Sequence, residues 1–329
     1  MTAVPEDVLA LLRERPVVNV VGATATGKSD LAVALAEHLG GEIINADAMQ
    51  FYRGMDIGTA KLPPAERHGI PHHLLDVLDV REEASVVRFQ AAARAHIARI
   101  VRAGRVPILV GGSGLYVRAA TDRMEFPGTD PELRARLEAE IAAHGGHALH
   151  ARLAGLDPAA AAKIEIADHR RIVRALEVIE LTGKPFTAVL PEYTHAMPTV
   201  QIGLVEDRAV LRARLADRIH RMWEAGWVDE VRALLDHGLR EGRTARHAIG
   251  YAEIVQYLDG DLPRKDALER TVVRTRQFAK RQETWFRRDR RITFLPAGVP
   301  LAAALATYED ARTASGTVSP PAGPPTLDT

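Results

Sequence analysis

The sequence predicts an α/β protein, a P-loop core of parallel strands flanked by helices, interrupted by an all-helical insertion. Three observations predict it. Short apolar runs at 17–21, 42–45 and 106–110 each end in a polar or glycine-rich turn, with helical patterns between them. That alternation belongs to a parallel sheet whose ligand site lies at the carboxyl ends of the strands. The first run feeds GATATGKS at 22–29, a glycine loop that opens a helix. From about residue 122 to about 196 the text reads as a helical insertion. The expected division is therefore 1–121 with 197–311 as the core, 122–196 as the insertion, and 312–329 as a tail.

The first strand, VVNVV, is β-branched and apolar, the profile of a buried parallel strand. Behind it stand Gly22, Ala23, Thr24, Ala25, Thr26, Gly27, Lys28 and Ser29. The N–H groups of such a loop and the helix N-terminus make a nest for phosphate oxygens. Lys28 adds a positive charge, and the Ser29 hydroxyl is placed to ligate Mg²⁺. Leu31, Leu35 and Leu39 give the helix its stripe, and Gly40 and Gly41 stop it.

The second strand delivers Asp47 within NADAMQ. An aspartate at a strand end beside a phosphate nest can bind Mg²⁺, act as a general base, or cap the next helix. Position leaves all three open. The segment MDIGTAK at 55–61 suits a loop against phosphates and equally a solvated loop. His72 and His73 are adjacent, so on an extended chain they point to opposite sides. With no third ligand nearby, hydrogen bonding or packing is expected of them, not metal binding. The third strand runs into GGSGLY at 111–116, a second loop-to-helix junction on the same edge.

In the insertion, Asp130 and Pro131 open a helix with Leu133, Leu137 and Ile141 as its stripe. Asp157 and Pro158 open another, and a third spans 168–181 before Gly183 and Pro185. A return strand is predicted at 199–205, helices at 208–223, 227–236, 248–258 and 264–288, and a last strand at 292–295. From about 312 the chain is small, Pro-rich and sparsely apolar, and disorder is expected.

Formal net charge is zero, so affinity for a polyanion must come from local patches. There is no cysteine, which excludes disulfides, cysteine nucleophiles and cysteine-ligated zinc and fits a reducing compartment. Neither a signal peptide nor a membrane span is recognisable. A cytoplasmic protein is expected, and a monomer, since no long apolar heptad demands a partner. Two segments are basic. One is HRRIVR at 169–174; the other carries Arg274, Arg276, Lys280, Arg281, Arg287, Arg288, Arg290 and Arg291 against Glu283 and Asp289. Trp285 and Phe286 lie in the second, and charge mixed with stacking surface suits RNA.

In order, GATATGKSDLA, INADAMQFYRGMDIGTAK, PHHLLD, VPILVGGSGLY, RRIVRALEV, TGKPF, HAIGYAEI and RQFAKRQETWFRR resemble the tRNA dimethylallyltransferase family, from residue 16 to about 295. Ala23 stands where that family commonly has proline, and Ser113 where it has threonine, with the hydroxyl kept. The tail lies outside the resemblance, and the zinc-finger extension of eukaryotic relatives has no counterpart, in keeping with the bacterial type. The resemblance implies transfer of a dimethylallyl group from dimethylallyl diphosphate to N6 of the adenine 3′-adjacent to a tRNA anticodon. It assigns the diphosphate to the P-loop, Lys28 and Mg²⁺, the role of base to Asp47, and orientation of the amine to Ser113. Its tRNA contacts fall on Asp47, Ala48, Met49, Gln50, Ser113, Arg134, Arg170, Arg171, Ile172, Val173, Arg174, His247, Ala248, Ile249, Gly250, Tyr251 and Ala252. The insertion would clasp the anticodon stem-loop. Rival readings are an isopentenyltransferase for free adenine nucleotides, a nucleotide-gated RNA-binding protein, and a P-loop kinase. Against the kinase, no arginine lid is obvious close behind a second acidic motif.

Overall fold

The computed structural model describes residues 4–186 and 193–316. In chain order the elements are α1 (Glu6–Glu14), β1 (Val17–Gly22), α2 (Lys28–Leu39), β2 (Glu42–Asn45), β3 (His72–His73), α3 (Val86–Arg102), β4 (Pro107–Gly111) and α4 (Gly114–Thr121). Then follow α5 (Pro131–Leu156), α6 (Pro158–Ala161), α7 (His169–Thr182), β5 (Thr199–Val205), α8 (Arg208–Glu224), α9 (Trp227–Asp236), α10 (Tyr251–Leu258), α11 (Arg264–Phe286), β6 (Ile292–Pro296) and α12 (Leu301–Gly316). The strands form one parallel sheet in the order β3-β2-β4-β1-β5-β6. The chain divides into two compact units, Arg123–Thr194 and the flanking segments that end at Asp122 and resume at His195.

Every residue of β1 is buried, as a central strand covered on both faces must be. Its apolar side chains, with those of β4 and β5, meet Leu31 and Leu35 of α2 and Ala304 and Tyr308 of α12 in one core. A second core joins α8 to α11 around Trp223, Trp227 and Tyr251. The 123–194 unit has its own, with Leu137, Leu149, Leu153, Ile172 and Leu176 at its centre. There α5 departs from helical geometry at Gly145, whose φ is 76°.

The histidine pair lies on extended chain, as expected, and adds a short edge strand, β3, too brief to leave a periodic pattern. Two expectations need correction. Helix α10 starts at Tyr251 rather than 248, because Gly250 sits at φ 88° and only a 3₁₀ turn, Ala245–His247, precedes it. Residues 312–316 are not disordered: α12 runs to Gly316, and the Thr313 hydroxyl donates to the Glu309 carbonyl at 3.0 Å. The segment continues a helix anchored by buried Ala304 and Tyr308, and packing there outweighs the weak helix propensity of Thr313, Ser315 and Gly316. The rest of the predicted tail, 317–329, lies outside the described residues.

The basic C-terminal run is partly an internal device. Arg291 forks onto both carboxylate oxygens of buried Asp122 at 2.9 Å and onto Asp289 at 2.6 Å. Arg118 and His195 reach the same Asp122 at 2.8 and 3.0 Å. Arg274 pairs with buried Glu253, and Arg287 with Glu283 at 2.6 Å. Burial alone would raise the Asp122 carboxyl, but hydrogen bonds from His195, Arg291 and Arg118 prevail and hold it at about 2.

This network makes a prediction about acid stability. A carboxyl depressed below its ordinary 3.8 stabilises the fold above that value and loses its contribution as pH falls toward about 2. Asp122→Asn should cost about 3 kcal/mol in urea unfolding at neutral pH. The gap to the unsubstituted protein should close between pH 4 and pH 2; a gap independent of pH would show that Asp122 is not the titrating group.

Candidate active site

Strands β2, β4 and β1 are neighbours, so the residues leaving their carboxyl ends gather on one edge. Two glycines let these ends close up. A Cβ on Gly111 would sit 2.5 Å from the Ala46 carbonyl oxygen, and one on Gly22 2.6 Å from that of Leu204. The P-loop then turns through left-handed φ at Ala25, 66°, and Gly27, 85°. At Ala25 that costs about 1–2 kcal/mol, local strain of the kind stored at ligand sites. Thr26 is buried, its hydroxyl donating to the Ala23 carbonyl at 2.9 Å. Lys28 Nζ donates to the same carbonyl at 2.6 Å. Ser29 is exposed in the first turn of α2, its hydroxyl without a hydrogen-bond partner among the described residues.

Asp47 caps the 3₁₀ turn Ala48–Phe51, accepting from the Met49 N–H at 3.0 Å through one carboxylate oxygen. Capping thus coexists with any chemistry of the other oxygen. Asn45 holds it in place, accepting from the Asp47 N–H at 2.9 Å and donating to its carbonyl at 3.1 Å. Burial raises the Asp47 carboxyl above its ordinary range, against the opposing pull of the Met49 N–H, Lys28 and Arg218. Burial likewise lowers Lys28, to about 8; Asp47 pulls it up and Arg218 pushes it further down.

Two cavities meet at this edge. The larger, about 730 Å³, is lined by Gly27, Lys28, Ser29 and, from α8, Arg214, Arg218 and Arg221. The smaller, about 300 Å³, is walled by Leu215, Ile219, Met222, Trp227, Ile249 and Phe278, with the Ser113 side of β4 opening into it. Both are lined by Thr24, Asp47, Thr59, Ala60, Arg218 and Met222. A cationic chamber and an apolar one therefore share a wall that carries a carboxylate.

Arg214, Arg218 and Arg221 of α8 are not among the residues the sequence singles out. Their signal was the spacing 214, 218, 221, one face of a helix. Burial pushes the Arg218 guanidinium down, and Arg221 adds to it. Glu230 was also missed. Its carboxylate accepts from the N–H groups of Asp56, Ile57 and Gly58 at 3.0, 2.7 and 3.3 Å and from the Tyr251 hydroxyl at 2.6 Å. It thereby braces the 56–60 loop that walls both cavities. Lys61 also lines the larger cavity, its buried ammonium held on Asp56 and Asp76 at 2.5 and 2.6 Å.

The proposed RNA contacts separate into groups. Ala48, Met49, Ser113, His247, Ala248, Ile249 and Tyr251 line the smaller cavity, and Gln50 the larger. Gly250 is scaffold, since a Cβ there would lie 1.9 Å from the Trp227 ring, and Ala252 is half-buried in α10. Within the 123–194 unit, Ile172 and Val173 are core side chains facing away from solvent, which corrects their reading as a contact surface. Arg134 and Arg174 both pair with buried Glu177, at 2.8 and 2.7 Å. Arg170 and Arg171 are exposed. His72 and His73 do face apart: His72 lines the larger cavity, whereas His73 bonds Glu42 at 2.6 Å. Among the described residues no cluster of histidine and carboxylate side chains could hold a metal unaided.

Residues 50–289 match the family described as IPP transferase. The chain is similar to a tRNA dimethylallyltransferase of Kineococcus radiotolerans, 62% identical over 288 residues covering 86% of this chain and 91% of the relative. One of Thermobifida fusca is 61% identical, covering 86% and 91%. Among solved structures it resembles a tRNA isopentenylpyrophosphate transferase from Bacillus halodurans, with a TM-score of 0.69 and 39% identity over 92% of this chain and 98% of that one. A eukaryotic dimethylallyltransferase acting on tRNA matches with a TM-score of 0.74 and 30% identity, over 89% and 76%.

The charges at this edge make a prediction needing no ligand. Competitive amine labelling against pH should give Lys28 a midpoint at about 8. Arg218→Gln should move that midpoint up and Asp47→Asn should move it down. Shifts of the opposite sign would mean that these groups do not share a field.

Proposed function

The chain belongs to the IPP transferase family, and from that premise we propose that it transfers a dimethylallyl group from dimethylallyl diphosphate to N6 of the adenine 3′-adjacent to a tRNA anticodon. The observation that carries this reading is Asp47 on the wall common to the cationic and the apolar cavity. In the reaction a C–N bond forms at the allylic carbon and the C–O bond to diphosphate breaks. The diphosphate leaves into the chamber of Lys28, Arg214, Arg218 and Arg221, which offset its growing charge. The allylic chain and the adenine suit the apolar chamber.

The exocyclic amine of adenine is a poor nucleophile because its lone pair is delocalised into the ring. Asp47 takes the amine proton as the C–N bond forms, and its upward-shifted carboxyl makes it a stronger base than a solvated aspartate. Ser113, whose hydroxyl has no partner among the described residues, orients the amine. The unpartnered hydroxyl of Ser29 beside the P-loop fits Mg²⁺, with the diphosphate and water as the other oxygen donors. Bound there, the cation would neutralise diphosphate charge.

The adenine must leave its stack to enter, at a cost of a few kcal/mol offset by contacts in the chamber. Arg170 and Arg171, exposed and adjacent in the 123–194 unit, are offered to backbone phosphates, Arg171 also meeting Asp168 at 3.4 Å. We take the enzyme to act as a cytoplasmic monomer.

The test is transfer of labelled dimethylallyl diphosphate to unmodified tRNA, with AMP and ATP as competing acceptors. Label should enter tRNA, and Asp47→Asn should slow transfer about 10²–10⁴-fold while tRNA affinity holds. Label in a mononucleotide would move the chain to the free-nucleotide synthases. No transfer to any acceptor would favour the kinase reading, which the α8 arginines would also serve. Separately, Arg170→Ala with Arg171→Ala should weaken tRNA binding and reduce the slope of log K against log salt by about 1–2. An unchanged slope would remove these arginines from the RNA contact.

A further inference from the structure

We propose that Gln282 is a positioning residue for the transfer, locking the P-loop to the Ser113 loop by continuing the β1–β4 pairing beyond the strand ends. The assignment rests on the transfer reading above. Registered pairing between these strands stops at Val21 and Gly111. Past that point one chain turns into the P-loop and the other toward Ser113, and nothing in the ladder keeps them at a fixed separation. Gln282 fills the gap. Its Oε1 accepts from the Thr24 N–H at 2.9 Å, and its Nε2 donates to the Gly112 carbonyl at 3.0 Å.

A primary amide carries the acceptor and donor of a peptide group, so it substitutes for one rung of a sheet. The fit is close: Gln282 is 5% exposed, and a Cβ on Gly112 would lie 2.1 Å from its Nε2. The side chain comes from α11, on the face that also sends Thr275 and Phe278 to the smaller cavity. One helix thus walls the apolar chamber and sets the spacing between anion cradle and Ser113. The Thr24 N–H is consumed by this bond, so the diphosphate is cradled by the loop residues after it. In a reaction needing nucleophile, allylic carbon and leaving group in line, an error near 1 Å in that spacing falls on the rate.

The experiment compares Gln282→Met and Gln282→Glu with the unsubstituted protein in two readouts. The first is hydrogen exchange of the Thr24 amide in the ligand-free protein. It should accelerate in Gln282→Met, and unchanged protection would overturn the bond itself whatever the activity. The second is steady-state transfer. Gln282→Met should lower kcat about 10–100-fold with tRNA Kd changed by less than about 2-fold. A kcat like that of the unsubstituted protein despite lost Thr24 protection overturns the positioning role. So does a parallel loss of kcat, tRNA affinity and melting temperature, which would mark a simple core defect.

Gln282→Glu discriminates further. Ionised, it can accept from Thr24 but opposes the Gly112 carbonyl; protonated, it offers both a donor and an acceptor again. Its rate relative to the unsubstituted protein should therefore rise as pH falls, while the Gln282→Met ratio stays flat. A flat Gln282→Glu ratio overturns the proposal. Should Gln282→Met fail to fold, Gln282→Glu carries the test. If the unsubstituted protein transfers nothing, it is the transfer reading that fails, and the exchange arm still decides whether the tie exists.

Discussion

Everything at this sheet edge depends on two cations, Lys28 and Arg218, that line one cavity with Asp47 as the carboxylate acting on both. Each is pushed toward its neutral form first by burial, and each by a neighbouring arginine, Arg218 for Lys28 and Arg221 for Arg218. Folding alone gains nothing from such crowding, because desolvated like charges oppose it. A bound polyanion reverses the sign, since its oxygens replace lost hydration and lie between the cations. In the proposed transfer, the diphosphate supplies those oxygens and offsets the cost of holding the two cations in one cavity.

Close backbone contact is what allows the charges to converge. Glycines 22 and 111 bring β1 against β5 and β4 against β2 at distances no side chain permits. Glycines 58 and 250 do the same on the apolar side, where a Cβ on either would enter the Trp227 ring. Trp227 is therefore gripped from two loops, and Glu230, a turn further along α9, holds the first of them by three successive N–H groups. The apolar chamber is consequently built from fixed walls. A chamber of about 300 Å³ with rigid sides can select by volume in a way that a collapsible one cannot.

What the sequence made legible was whatever chemistry is written in consecutive residues at a strand end. The P-loop, Asp47 and Ser113 each follow an apolar run directly, so position along the chain equals position in space. Arg214, Arg218 and Arg221 were visible only as a spacing on a helix whose facing direction no local signal reveals. Glu230 and Gln282 act on loops 172 and 258 residues away in sequence, and nothing local marks them. Conversely, the resemblance carried Ile172 and Val173 in among the tRNA contacts together with the arginines around them. With Leu176 they make an apolar stripe, and periodicity alone would have sent them to the core. Arg291 looked like surface charge because it closes a basic run, although Asp289 beside it hinted at an internal pair.

As proposed, Asp47 combines the cap shown by its bond to Met49 with the role of base, two duties that would compete at a less constrained position. As a cap it gives one oxygen to the Met49 N–H, which lowers its affinity for a proton and costs it basicity. Burial works the other way and prevails, so the carboxyl ends above its ordinary range although Lys28 and Arg218 also pull it down. The capping bond supplies direction in return, because a carboxylate pinned through one oxygen aims the other. In the proposed transfer that second oxygen serves the amine while the cations serve the leaving group, on opposite sides of one wall. Strengthening the base by removing the cations would weaken the cradle, and strengthening the cradle with further cations would depress the base. Burial is the one contribution that raises the base without adding a charge to the cradle.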